Sequence, residues 1–187
     1  MDNTNLYSIG HGGKTIEELV FVLHKFGIKY LIDVRSVPYS KFYPHFNREV
    51  LKSTIESTGD IKYLYMGDVI GGLPKDDSFK TNGKMDYSKM QRDSTFQQGV
   101  ARLVHANELG IPVCVMCSES DPSHCHRSKL IGVCLKEKGV VMMHIVKNHS
   151  EDYVLKSQTE VINEVLGGKN QMDLFGEITT FSSVKTH

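Results

Sequence analysis

The 187-residue chain lacks a long apolar run, an excess of either charge sign, an internal repeat and any low-complexity tract. Its purely apolar runs last only a few residues, which excludes a bilayer-spanning helix needing roughly 20. Lys and Arg number 22, as do Asp and Glu, and the pI is near 7.1. A generic basic coat for nucleic acid carries a pI above about 9. Contact with nucleic acid must therefore be local, or delegated to a partner. Four cysteines in this length make no disulfide scaffold. The opening MDNTNLY has neither the basic nor the apolar segment of a secretory signal, which points to the cytosol. There, clustered cysteines are expected to be buried, catalytic or metal-bound.

What is present is ordinary for one globular domain, 40% apolar and 24% charged. Short runs of β-formers predict strands over 5–9, 29–34, 61–65, 111–116 and 140–146. Helical periods lie between them. One follows Thr15 and Glu18, which have capping-box spacing, and stops at Gly27. Others are expected over 48–58 behind Asn47, from Ser94 and Gln97 onward, over 125–138, and over 153–166. Prolines 38 and 44 mark 35–46 as loop, and 67–93 reads as a long loop without a period. Strands alternating with helices predict a mostly parallel sheet of about five strands covered on both faces. The expected domain is 1–168, with 169–187 a flexible tail.

In open α/β sheets, ligands bind beyond the carboxyl ends of the strands. Four segments put unusual polar groups there. Gly10 and His11, with Gly12 and Gly13, follow the first strand and suit an anion-binding nest or a plain tight turn. Asp33 and Arg35 end the second and form either an ion pair or a fork for an anion. Cys117 and Glu119 end the fourth, and Cys125, His126 and Arg127 open the next helix. Alternation along a strand separates Cys114 from Cys117, which argues against a redox pair. Cys117, Cys125 and His126 are candidate zinc ligands, with Glu119 or His11 as a fourth group. In the alternative reading a helix N-terminus and nearby cations lower a thiol pKa, and Glu119 beside His126 supplies acid–base chemistry.

These residues together resemble the bacterial family known as domain of unknown function 488. The likeness rests on SIGH (8–11), DVRSVPYSKFYPHFN (33–47), Tyr63-Leu64 with Gly71-Gly72, MCSE (116–119), DPSHCHR (121–127) and His144-Ile145. It covers about residues 7–146. The resemblance implies a single Rossmann-like three-layer α/β domain and brings no assigned reaction, though a role in nucleic-acid metabolism is suspected. Gly10, His11, Asp33, Arg35, Cys117, Glu119, Cys125, His126 and Arg127 are the residues it carries over. Gly12 departs from the pattern, which more often has serine.

In the tail, Gln171-Met-Asp-Leu174-Phe175 resembles the peptide by which bacterial polymerases and repair proteins bind the replication sliding clamp. Gln171 would be the polar anchor, and Leu174 and Phe175 would fill an apolar groove. The same pair could instead pack back on the domain. Three functions follow. The first is a nucleotide or nucleic-acid processing enzyme, in which His11, Arg35 and Arg127 hold an anion beside Glu119, His126, Cys125 and Cys117. The 38–47 loop, basic and aromatic, suits base stacking or a lid. The second is a thiol- or metal-dependent enzyme on a small molecule. The third is a non-catalytic ligand-binding adaptor. No cofactor is named by the sequence.

Overall fold

The computed structural model describes residues 4–166. The sheet begins with β1 (Leu6–Gly10). Thr15 then accepts the Glu18 amide on its hydroxyl, 3.1 Å away, and starts α1 (Ile16–Lys25). β2 (Tyr30–Asp33), α2 (Arg48–Ser57) and β3 (Lys62–Tyr65) follow. Asn47 stands at the start of α2 as expected, but its side chain accepts the Ser40 amide at 2.7 Å and pins the preceding loop instead.

The stretch 67–93 is more structured than its sequence suggested. It contains a hairpin of β4 (Lys80–Thr81) and β5 (Lys84–Met85), then α3 (Tyr87–Gln91), each too short to show a period. α4 (Ser94–Glu108) is capped by Asp93, one residue before the expected Ser94, through the Phe96 amide at 2.9 Å. β6 (Val113–Cys117) leads to a π-helical segment, Arg127–Gly132, that continues as α5 (Val133–Glu137). β7 (Met143–Lys147), β8 (Tyr153–Ser157) and α6 (Gln158–Val165) complete the order.

The main sheet has six strands in the order β3-β2-β6-β1-β7-β8. Five run parallel, and β8 pairs antiparallel with β7, from Met143↔Ser157 to Lys147↔Tyr153. The expected helix over 153–166 is therefore corrected. Its first five residues extend the sheet, and the helix starts where Ser157 and Glu160 form a capping box.

Two apolar clusters flank this sheet. Leu19, Val22 and Leu23 of α1 and Leu51 and Ile55 of α2 cover one face; Val100 and Leu103 of α4 and Leu130 to Leu135 cover the other. β6 alternates strictly between them, Val113, Val115 and Cys117 facing one cluster and Cys114 and Met116 the opposite one. Each such buried aliphatic side chain contributes about 1.5–3 kcal/mol, so the three layers are held from both sides. Among the described residues no helix is long and apolar enough to cross a membrane. Gln171, Leu174 and Phe175 lie outside the described residues.

A buried polar chain ties β1, β7 and α6 together. Gln158 Oε1 lies 2.7 Å from His144 Nε2, so that nitrogen donates, and Nδ1 accepts from the Ser8 hydroxyl at 2.6 Å. Burial, reinforced by the Arg127 charge, pushes His144 from 6.5 down to about 4. Burial does the same to His11. Well above pH 6.5 both imidazoles are neutral whether the chain is folded or not. Below it the unfolded chain takes up protons that the folded chain refuses, so stability falls towards pH 4. The expected loss is roughly 1.5 kcal/mol for each between pH 6.5 and 5. Urea melts at the two pH values measure it, and equal midpoints would contradict this account.

Candidate functional site

The connections after β1 and β2 leave towards α1 and α2, whereas the connection after β6, between them in the sheet, leaves towards the opposite face. Loops diverging in this way open a crevice at the carboxyl ends of the strands. Here it is a cleft of about 280 Å³ lined by residues that include Arg35, Ser36, Gly72, Tyr87, Glu119 and His126. Cys117 and Cys125 also line it, and both are buried.

His126 Nε2 donates to the Val34 carbonyl at 3.1 Å, which fixes the ring against the end of β2 and leaves Nδ1 as a lone pair. That Nδ1 lies 3.8 Å from Cys117 Sγ and 3.8 Å from Cys125 Sγ. Arg127 is fully buried behind them, donating from Nε to Cys125 Sγ at 3.2 Å, from one terminal nitrogen to Ser8 and from the other to the Glu119 carbonyl. Burial alone would keep the Cys125 thiol neutral. The hydrogen bond from Cys117, the Arg127 charge and His126 outweigh it and hold Cys125 well below the ordinary thiol range. Donating that bond, together with burial, pushes Cys117 upward.

Other expected site residues occupy different places. Arg127 does not line the cleft, because its three donor nitrogens already have partners in the interior. The anion nest at Gly10 to Gly13 is not open. The His11 and Gly12 amides donate to the Cys117 and Ser118 carbonyls, both at 2.9 Å. His11 donates from Nδ1 to the Gly12 carbonyl and stacks on Phe46 with 4.2 Å between ring centroids. It lies outside the cleft lining with its Nε2 facing Ser118 and Arg35, and among the described residues it does not join the Cys117, Cys125 and His126 group as a fourth metal ligand.

Asp33 and Arg35 form the buried ion pair that was one of the two readings. Asp33 takes Arg35 Nε at 2.9 Å, its outer nitrogen at 2.6 Å, and the Tyr63 hydroxyl at 2.7 Å. Arg35 still lines the cleft.

Residues on the cleft lining that were missed from sequence include Ser36, Gly72, Tyr87, Ser118 and His124. Gly72 packs on the imidazole: a methyl group there would stand 2.7 Å from His126 Cγ. Its place in a Gly-Gly pair before Pro74 was the available signal. Tyr87 sat in a stretch without a period and gave none.

A family model described as "Domain of unknown function DUF488" matches residues 15–134. The match takes in Asp33, Arg35, Cys117, Glu119, Cys125, His126 and Arg127, and stops short of Gly10, His11 and the tail. No curated protein and no solved structure matches the chain.

Proposed function

The chain belongs to the DUF488 family, whose description assigns no reaction, and we propose from its site that it is an enzyme on a small molecule, reacting at Cys117, Cys125 and His126. The observation that carries this reading is the meeting of two cysteine sulfurs and an imidazole lone pair on the lining of one cleft. Thiolate beside imidazole is the equipment of nucleophilic or metal-assisted chemistry, and Glu119 on the same lining is the proton carrier. The closed glycine loop and the buried Arg127 argue against a strongly anionic ligand in this cleft.

A nucleic-acid reading is favoured by one observation. Tyr39, Phe42 and Val37, on the loop after Arg35, are 62%, 89% and 70% exposed, with Lys41 among them. Such a surface suits base stacking. A clamp-binding tail at Gln171 to Phe175 would serve that reading by bringing a neutral protein to DNA.

One screen tests both. The protein is offered a library of metabolites, nucleotides and short single-stranded oligonucleotides, with Cys125→Ala and His126→Ala in parallel. Turnover of a small molecule that falls by about 10²–10⁴ in both variants is expected. Turnover unchanged in the variants would place the chemistry elsewhere, and conversion of oligonucleotides alone would select the second reading.

A further inference from the structure

We infer that Cys117, Cys125 and His126 are the three protein ligands of a zinc ion whose remaining position opens into the cleft. The inference rests on the reading above only in treating this cluster as the reacting centre. Its three ligand atoms all lie within 4.8 Å of one another. A tetrahedral zinc with bonds of about 2.3 Å to sulfur and about 2.0–2.1 Å to nitrogen sets its S···N edges at about 3.6 Å. Both observed S···N distances are 3.8 Å. That spacing is long for a direct thiol–imidazole hydrogen bond and close to what a shared ion requires.

The surroundings are those of a ligand set. His126 gives its other ring N–H to the Val34 carbonyl, the arrangement that aims an imidazole lone pair at a metal. Arg127 Nε donates to Cys125 Sγ and moderates the charge of the sulfur. Two sulfurs and an imidazole prefer zinc to hard cations such as magnesium or calcium. Among the described residues no fourth Cys, His, Asp or Glu joins the group. Three protein ligands with an open position are the pattern of a catalytic zinc, not of a closed structural one. Binding requires both cysteines as thiolates, so Cys117 releases its proton as the ion enters.

The test needs no substrate. The purified full chain is stripped with a chelator, and zinc or cobalt(II) is added back. We expect one ion per chain, and for cobalt the intense near-ultraviolet bands of thiolate ligation with the visible bands of a tetrahedral site. Cys117→Ser and Cys125→Ser each lose half or more of the thiolate intensity, and Cys134→Ser, outside the cluster, keeps it. Gly72→Ala, which crowds the His126 ring, is expected to weaken affinity by about 10–100-fold. Should the cysteine variants fail to fold, X-ray absorption on the zinc-loaded native chain decides the matter, with two sulfurs and one imidazole nitrogen expected. Absence of thiolate bands in the native chain, bands unchanged by both serine variants, or coordination by oxygen alone overturns the site. An intact zinc site in a protein that turns over no small molecule overturns the proposed reaction and leaves this inference standing.

Discussion

Asp33→Ala is expected to destabilise the fold by about 3–5 kcal/mol, because it removes one half of a buried ion pair and strands the other. Asp33 is fully buried and Arg35 is 4% exposed, so the guanidinium left behind recovers little of its hydration. Tyr63 loses its hydroxyl partner in the same step. A loss of that size is a large part of the roughly 5–15 kcal/mol that holds a typical domain together. Replacing both members, as in Asp33→Leu with Arg35→Met, is expected to cost less than the single change, since no charge is then left unpaired. Urea unfolding at pH 7.5 measures all three chains. An Asp33→Ala loss below about 1 kcal/mol would mean that the pair behaves like an exposed one.

Gly10→Ala carries the second large effect. A methyl group at this position would stand 1.8 Å from the Glu119 carbonyl oxygen and 2.8 Å from Ser120 Cα. Both are backbone atoms, so no side-chain rotation relieves the clash. The 119–120 backbone must move away from β1, and the Arg127 contact to the Glu119 carbonyl moves with it. Overpacking of this kind is expected to cost about 3 kcal/mol and to widen the cleft. Thermal unfolding reads the first effect and amide exchange over 118–121 reads the second. A variant with native stability and unchanged exchange would show that the glycine is not what holds this rim in place.

Much of the scaffold was legible from residue pattern alone. Strand alternation separates Cys114 from Cys117, and the two do face opposite clusters. Thr15 caps α1 as its spacing suggested. Asp33 with Arg35, Cys117 with Glu119, and Cys125 with His126 do meet at one end of the sheet, because parallel strands send their carboxyl ends to the same side. The misreadings have a common cause. The β8 segment reads as helix because its five residues precede a helical period, and only pairing with β7 distinguishes it. The glycine loop read as an anion nest because a sequence does not tell whether free amides face a ligand or a neighbouring carbonyl. Arg127 reads as an anion-holding residue for the same reason. Its partners Ser8 and Cys125, and the Glu119 carbonyl, come from different elements. Gly72 and Tyr87 reach the cleft through tertiary folding of a stretch with no readable period.

The proposed chemistry depends on the Cys117–Cys125–His126 centre, and one measurement addresses that centre directly. Crystals grown with zinc, measured above and below the zinc absorption edge, are expected to show an anomalous peak about 2.3 Å from both sulfurs and about 2.0–2.1 Å from His126 Nδ1. A map with these three residues ordered and no peak between them would contradict the account. So would a disulfide joining Cys117 to Cys125.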